Sequence, residues 1–516
     1  MTEVSPVADA RRTRPWLRAV VDLLLVWLVF AADGAWPIPD VNEAHYLTKA
    51  KHFWNPEWCS RDLFLESTDS HVAFYWTFGY LTHVLPLPTA ALIGRVLQWG
   101  LLAWGWRRLS YTLVPKFGWA ALTGAAMVAL VERGNMAGEW VIGGCEAKVV
   151  AYALLFSALA DLIRGRWNFA LVQLGGATLF HVLAGGWSLV ALGFAWLTAG
   201  RDRPPLRTLW PGLILGGLLA WGGLMPAIRV MVVDREFVAP QFNADVVYVY
   251  ERLSHHLVPQ RFALVKVLVH LTLWSFWIAL AVAQRPDERL RSLRHVICGS
   301  GVIACIGLAI ALILPEPSLR GAQLLRFYWF RLSDVMPAIG VALELGVAAA
   351  TATSALRRIA MIAVLAVVGG GNLIGVCIER ANMPMGRGEN LGYASNLEPW
   401  REVCAWIKDN TPKDAIVISP RQFYTFKWYA ERADVGTWKD IPQNNFWILL
   451  WRMNLQELYG TEAWINYVPL DKLQRYAKTS GASYIVAYRE KPLALRAVYQ
   501  NNDFVVYELN ELAEAR

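Results

Sequence analysis

The sequence contains few charged residues for its length. Asp, Glu, Lys and Arg make up 17% of the 516 residues, whereas soluble domains contain about 25%. Six cysteines in a chain of this size do not indicate a disulfide scaffold. There is also no internal repeat and no low-complexity segment. These shortages argue against an ordinary soluble domain, a small disulfide-rich protein and a repeat protein.

Apolar and aromatic residues are in excess. Hydrophobic residues make up 56% of the chain, the mean hydropathy is +0.33, and there are 26 tryptophans. This composition is typical of a polytopic membrane protein with aromatic residues at the membrane interfaces. The net charge of +8 arises from Lys and Arg that stand between apolar runs. That position favours a role in membrane orientation and not in nucleic-acid binding, so the expected surroundings are membrane lipids.

Apolar runs of spanning length predict about eleven membrane helices. The runs lie at residues 17–36, 88–106, 117–131, 147–163, 168–199 (two short spans), 209–228, 262–284, 295–314, 324–350 and 359–377. In this order every basic cluster falls on one side, as the positive-inside rule requires. We therefore expect a multi-pass protein of the inner (plasma) membrane with a cytoplasmic N-terminus and an uncleaved first helix.

One apolar segment, residues 71–85, does not fit this alternation. If it crossed the membrane, the basic clusters after it would lie outside. The sequence therefore predicts a re-entrant or interfacial helix within the first outer loop.

The chain divides into a membrane module, residues 1–383, and a polar C-terminal region, residues 384–516. The predicted outer loops of the module are residues 37–87, 132–146 and 229–261. In the C-terminal region, "EPWREVCAWIKDNTPKDA" has the pattern of an amphipathic helix, and "AIVISP", "ASYIVAYR" and "DFVVYEL" have the pattern of strands. The predicted fold is a polytopic α-helical membrane protein with a small C-terminal α/β extracytoplasmic domain.

The segment "PDVNEAHYL" follows the first predicted helix and contains two acidic residues, Asp40 and Glu43. Their spacing of three is that of a capping box at the start of an interfacial helix. On a helix it would also put both carboxylates on one face, where either could act as a general base. The two roles are compatible, because a carboxylate that caps a helix is held in a fixed position, as a general base must be.

Further charged residues fall in the other predicted outer loops. His71 begins the interfacial segment, and Glu139, Glu146 and Lys148 stand at the edge of a predicted span. Ionisable residues at a membrane edge are costly unless paired, so they are candidates for a site, although Lys148 could instead extend its amine to the interface.

The last two groups lie in "YVYERLSHHLVPQRF" and "LLRFYWFRLSDVMPAIG". The first contains His255, His256 and Arg261. Adjacent histidines on a helix point about 100° apart, which disfavours a shared metal ion. The second contains Arg326 and Arg331, which either pair with a neighbouring aspartate and lock helices together or bind a phosphate.

The plan resembles the GT-C class of integral-membrane glycosyltransferases. "PDVNEAHYL" stands where that class has its first-loop acidic motif. The stretch "SHVAFYWTFGYLTHVLPLPTAALIGRVLQW" is similar to the loop helix and second span of that class, without its two prolines. The segment "WIKDNTPKDAIVISP" resembles outer domains of uncharacterised bacterial members. The WWD-type motif of oligosaccharyltransferases is absent, which disfavours a peptide acceptor.

The resemblance implies an inverting transfer of a sugar from a polyprenyl-phosphate donor to a hydroxyl of a glycan, lipid or other acceptor on the outer membrane face. For this reaction we expect Asp40 to be the base, with Glu43 supporting it or binding the acceptor, and which of the two carboxylates takes the proton stays open. Arg326, Arg331, Lys148 and Arg261 become candidates for the donor phosphate. A divalent metal ion held by Asp40 and Glu43 is a further expectation.

Two other interpretations remain open at the level of sequence. A membrane transporter or lipid flippase would use the same charges for a substrate headgroup, but the hydropathy shows no matching inverted halves. A non-catalytic relative of the same class would act as a scaffold in envelope-polysaccharide assembly.

Overall fold

The computed structural model describes residues 15–232, 242–284, 288–383, 386–387, 397–462 and 464–509. The predicted outer loop 229–261 lies partly outside these ranges, as do most of the junction after residue 383 and the last residues of the C-terminal region.

In the described part of the membrane module, eleven longer helices form the bundle. They are α1 (Pro15–Gly34), α5 (Leu87–Leu113), α6 (Trp119–Gly134), α7 (Ala147–Ile163), α8 (Trp167–Phe180), α9 (Val182–Thr198), α10 (Leu206–Val232), α13 (Leu264–Ala283), α14 (Glu288–Ile313), α16 (Arg331–Thr351) and α17 (Ala355–Asn382). They coincide with the eleven predicted apolar runs. Among the residues that the structure describes, six helices are long and apolar enough to cross a membrane by length and composition. The polytopic helical fold is thus confirmed, while the number of helices that cross stays a prediction.

Small residues let the helices of the bundle approach closely. A side chain on Gly175 of α8 would meet the backbone of Gly216 in α10, and one on Gly105 of α5 would meet the backbone of Ala153 in α7. Helix α16 runs through the middle of the bundle, and 94% of its most apolar 18-residue stretch is buried. Such close packing is typical of helices in membranes, where lipid supplies no hydrophobic drive for helix association.

The basic clusters between the helices lie at one end of the bundle. Arg291 at the start of α14 forms an ion pair with Asp202 in the α9–α10 connection. At the same end, Lys116 after α5 donates to the carbonyl of Ala350, the penultimate residue of α16. The distribution agrees with the one-sided arrangement that the sequence predicted.

At the other end, the first loop forms α2 (Glu43–Trp54), α3 (Val72–Trp76) and α4 (Leu81–Val84). The segment 71–85, predicted as one helix, is broken into short helical pieces. The break falls at Thr77, and Gly79 lies directly against Ala50 of α2, where a side chain would not fit.

The third predicted outer loop contains α11 (Ala244–Val246), one wide helical turn (Val247–Arg252) and α12 (Ser254–Leu257), and α15 (Leu319–Leu325) precedes α16. The described C-terminal region, which we call the tail domain, contains α18 (Leu397–Asn410), α19 (Phe426–Ala430), α20 (Asn445–Tyr459), α21 (Leu470–Ser480) and the strands β1 (Ile416–Ile418), β2 (Ala433–Asp434), β3 (Ala482–Tyr488), β4 (Ala497–Gln500) and β5 (Phe504–Glu508).

The five strands form one sheet in the order β2-β1-β3-β5-β4. Strand β1 is parallel to β2 and β3, whereas β5 is antiparallel to β3 and β4. Because side chains alternate along a strand, Val417 and Val486 pack under α18 and α19, while Ile418 and Ile485 pack under α20 and α21. Helix α18 and three of the strands were predicted, and the helix buries the face that contains Trp400.

The tail domain shares a hydrophobic core with the outer loops. Leu63, Phe64 and Leu65 of the first loop belong to the same buried cluster as Ile416 and Trp451 of the tail domain. Residues 244–258 join this cluster too. The tail domain is therefore fixed against the end of the bundle that carries the acidic first loop.

Candidate functional site

A cavity of about 620 Å³ lies where the first loop, the tail domain and several helix ends meet. Its walls come from residues 41–46, 137–140, the ends of α9 and α10, residues 248–256, residues 326–331 and residues 439–443. It is at the end of the bundle opposite the basic clusters.

One wall of the cavity is basic and rich in histidine. Its cations are Lys148, Arg252, Arg326, Arg331 and Lys439, and its histidines are His45, His71, His181, His255 and His256. Within the described ranges, Glu139 is the single carboxylate side chain in the lining. The wall therefore favours an anionic ligand.

A second part of the lining is apolar. It consists of Leu224, Ala227, Ile228 and Met231 of α10 together with Val182, Leu183 and Phe327. Helix α10 also exposes Leu213, Leu215 and Leu218 along its outer side. The cavity thus joins a basic polar region to the apolar surface of a predicted membrane helix.

Glu139 is the centre of a buried ion network. Arg331 Nε lies 3.0 Å and Lys148 Nζ 3.7 Å from its carboxylate, and Tyr152 donates a hydrogen bond of 3.1 Å to it. Lys148 Nζ also lies 3.9 Å from Glu146 and over the ring of Trp140. Since each charge has a partner of opposite sign, the network is close to neutral.

Asp334 holds the loop that carries Glu139. Its carboxylate accepts backbone N–H groups of Met136, Ala137 and Glu139 at 2.9 to 3.2 Å. It does not pair with Arg326 or Arg331, so the predicted pairing of these arginines with the neighbouring aspartate is wrong; Arg326 pairs with Asp245 instead. Asp334 lies at the start of α16, where its carboxylate reaches the neighbouring loop and not the arginines before it.

Asp40 and Glu43 lie behind the cavity lining, although Val41 and Asn42 between them are part of it. The Asp40 carboxylate is buried and accepts from Arg387 Nη2 at 2.7 Å and Nε at 3.2 Å. Burial alone would raise the pKa of Asp40, but Arg387 outweighs it and the pKa is lowered. Asp40 is therefore a carboxylate with a cation already bound.

Glu43 is the partner of a different arginine. Its carboxylate accepts from Arg95 Nε and Nη2 at 2.6 and 2.5 Å and from the backbone N–H of Cys145 at 2.8 Å. It also accepts the N–H of Asp40 at 2.8 Å, which is the glutamate half of the predicted capping box. The aspartate half is missing, because the Asp40 side chain faces Arg387.

The donor set of Asp40 and Glu43 does not fit a metal ion. Each carboxylate already binds a guanidinium, and the two guanidinium groups are different. Elsewhere in the described ranges, no group of three His, Cys, Asp or Glu side chains is close enough to hold a metal.

His45 forms a pair with Asp440 of the tail domain, and the sequence did not indicate it. His45 Nδ1 lies 3.2 Å from Asp440 Oδ1, and Lys427 holds the other oxygen of Asp440 at 2.7 Å. Burial lowers the pKa of His45 more than Asp440 raises it, so the imidazole is neutral near pH 7. The aspartate orients Nδ1–H toward itself, which leaves the lone pair on Nε2.

The remaining predicted histidines are all part of the lining. His71 stacks on His181 at 5.7 Å between ring centroids, and burial lowers the pKa of His71 to about 4. His255 and His256 are adjacent, and burial lowers the pKa of His256 to about 3. His181 also caps α9 through the N–H of Ala184 and contacts Arg331 at 3.0 Å.

Three predicted site residues lie in different surroundings. Arg326 lines the cavity and forms an ion pair with Asp245. Glu146 is buried behind Asn42 and Lys148. Arg261 is outside the lining, 58% exposed, and pairs with Glu316 at 2.8 Å.

Arg387, Arg252, Lys439 and Asp440 were not predicted. They are distant in sequence from the first loop, and no local motif surrounds them. For Lys439 and Asp440 the sequence does contain one indication. They form the charged pair of "WKDIP", which stands between a tryptophan and an apolar residue followed by proline.

Comparisons with known proteins give a family-model match to one segment of the chain and two similar structures. A family model described as a domain of unknown function (DUF6798) matches residues 398–458. No curated protein sequence matches the chain.

The first structure is the oligosaccharyltransferase AglB of Archaeoglobus fulgidus, in complex with an inhibitory peptide and a dolichol-phosphate. It is 12% identical, with a TM-score of 0.46, over 92% of this chain and 69% of AglB. The second is ArnT of Cupriavidus metallidurans bound to undecaprenyl phosphate. It is 16% identical, with a TM-score of 0.47, over 96% of this chain and 97% of ArnT.

Proposed function

We propose that the protein transfers a sugar from a polyprenyl-phosphate donor to an acceptor hydroxyl in this cavity, with inversion at the anomeric carbon. The observation that supports it is the pairing of a basic wall with an apolar wall. A lipid phosphate has the same two parts, because its headgroup is anionic and its chain is apolar.

The chemistry needs two groups from the protein. The acceptor oxygen attacks the anomeric carbon while the bond from that carbon to the phosphate oxygen breaks. A base takes the acceptor's proton. The polyprenyl phosphate leaves as an anion that is already a weak base, so it needs cations and not an acid.

Two residues are candidates for the base. Asp40 is the residue that the family resemblance implies, and to act it would exchange Arg387 for the acceptor. His45 is in the cavity lining, neutral, and oriented by Asp440 in the way that a carboxylate orients a catalytic histidine. Glu43 has all its contacts with Arg95 and the backbone, which favours a role in holding the Asp40 segment.

The predicted orientation would place the cavity on the outer face of the inner membrane. The basic clusters lie at the opposite end of the bundle, and basic residues favour the cytoplasmic side. The donor would enter along α10, and the acceptor from the outer aqueous side.

The test is transfer of a labelled sugar from short-chain polyprenyl-phosphate sugars by the full-length protein in proteoliposomes. We expect transfer by the wild type and loss in either Asp40→Asn or His45→Gln, whichever residue is the base. Arg475→Gln serves as the control, since Arg475 is exposed on the tail domain. Absence of transfer with every sugar donor, together with movement of lipid headgroups across the bilayer, would favour the flippase alternative and overturn this proposal.

A further inference from the structure

The cations of the cavity differ in whether a carboxylate neutralises them. Lys148 pairs with Glu139 and Glu146, and Arg331 pairs with Glu139. Arg326 pairs with Asp245. These three were the predicted phosphate ligands in the lining. A cation that already has a carboxylate partner attracts a further anion less strongly, because the field of the pair largely cancels outside it.

Arg252 and Lys439 differ from the other three. Arg252 donates from Nε to the carbonyl of Trp438 at 2.7 Å and from Nη2 to that of Lys439 at 3.3 Å. Lys439 Nζ donates to the carbonyl of Val41 and lies 3.9 Å from the centre of the Tyr424 ring. Among the residues that the structure describes, neither forms an ion pair with a carboxylate. Both line the cavity.

Burial makes this arrangement costly for Lys439. Desolvation lowers the pKa of its amine to about 8, and the charged groups around it only partly offset the burial. The charged groups that act on it are Asp440, Arg252, Asp40 and Glu146. The carboxylate that acts most strongly on Lys439, Asp440, is engaged by Lys427 and His45. An anion that entered the cavity would restore the missing compensation.

The tail segment 438–445 brings Lys439 close to the apolar wall as well. Asn444 of this segment donates to the carbonyl of Val230 at the end of α10, at 2.9 Å. Arg326 donates to the carbonyl of Gln443 and to Asn445 in the same segment. The tail segment that carries Lys439 therefore also contacts the end of α10, and both Arg252 and Lys439 line the same cavity as the apolar residues of that helix.

We propose that Arg252 and Lys439 bind the phosphate group of the lipid donor, so that the tail domain supplies part of the donor site. This inference rests on the proposed function for the identity of the lipid. The guanidinium offers a planar pair of N–H donors and the ammonium a point charge, a combination suited to phosphate oxygens. In this arrangement the ion network around Glu139, which is close to neutral, forms the part of the lining beside the phosphate site.

The experiment measures binding of farnesyl phosphate and farnesol to the purified full-length protein in detergent. We expect the wild type to bind the phosphate more tightly than the alcohol. Lys439→Gln should weaken binding of farnesyl phosphate about tenfold, because a hydrogen bond to a charged group contributes roughly that much. It should leave the affinity for farnesol unchanged. Arg475→Gln is the matched control, a charge removed from the exposed surface of the same domain.

Lys439→Gln keeps a donor for the carbonyl of Val41, so the fold should persist, and an unchanged thermal midpoint checks this. Arg252→Lys is the second variant, which keeps the charge and loses the planar fork; a severalfold weakening is expected. Inorganic phosphate alone should bind more weakly than farnesyl phosphate, and equal affinity would overturn the assignment to a lipid phosphate.

The two levels of the proposal fail in different ways. If the wild type does not distinguish farnesyl phosphate from farnesol, the proposed function loses its donor. If the wild type distinguishes them and a folded Lys439→Gln still binds the phosphate as the wild type does, the function stands and the assignment to Lys439 is refuted.

Discussion

Replacement of Glu43 by Gln separates a structural role from a catalytic one. The Glu43 carboxylate is fully buried and accepts four hydrogen bonds, two of them from Arg95, which is itself 2% exposed. An amide at this position would leave the guanidinium buried without its counter-ion. Breaking a buried ion pair in this way costs about 3–5 kcal/mol, so we expect a clearly lower midpoint of thermal unfolding in detergent.

The double variant Glu43→Gln, Arg95→Met provides the control. Removing both charges takes away the uncompensated guanidinium, so most of the lost stability should return. Both variants are measured for thermal midpoint and for sugar transfer. If Glu43→Gln unfolds at the wild-type temperature and yet has no transfer activity, the structural interpretation is refuted and Glu43 takes part in the reaction.

Three further predictions concern pH and topology. Binding of farnesyl phosphate should weaken as the pH rises through about 8, because the lowered pKa of Lys439 means that the amine loses its charge there, and Lys439→Arg should abolish this loss. If His45 is the base, the transfer rate should fall as the pH drops through its pKa, which lies below the usual 6.5, and Asp440→Asn should lower kcat more than it changes KM. A reporter fused at Arg108 should be cytoplasmic and one fused after Gln500 extracytoplasmic; the reverse result would invert the predicted orientation.

The helices of the module were predictable because each long apolar run has one stable form in lipid, a helix with all backbone groups paired. The strands β1, β3 and β5 were predictable from β-branched residues. The strand β2 has only two residues, and β4 lies at the sheet edge with exposed side chains, so neither has a hydrophobic pattern. A short segment owes its strand form to its neighbours and not to its own sequence.

The site was predictable only in part. Glu139, Lys148 and Arg331 stand out in the sequence because charges at a membrane edge need partners. In the structure both cations pair with Glu139. The partner of His45 is 395 residues away, and no local pattern links Asp440 to the first loop. Which cations remain uncompensated depends on three-dimensional contacts alone.

The core that the tail domain shares with the first loop has a consequence for synthesis. Leu63, Phe64 and Leu65 leave the ribosome more than three hundred residues before the tail strands that cover them. During that interval these side chains lack the tail-domain part of their core, although residues 244–258 of the same cluster are made earlier, and exposed apolar segments of this kind are prone to aggregate. The cavity is complete only when the tail domain has been synthesised, because Lys439, Ile441 and Gln443 form part of its lining.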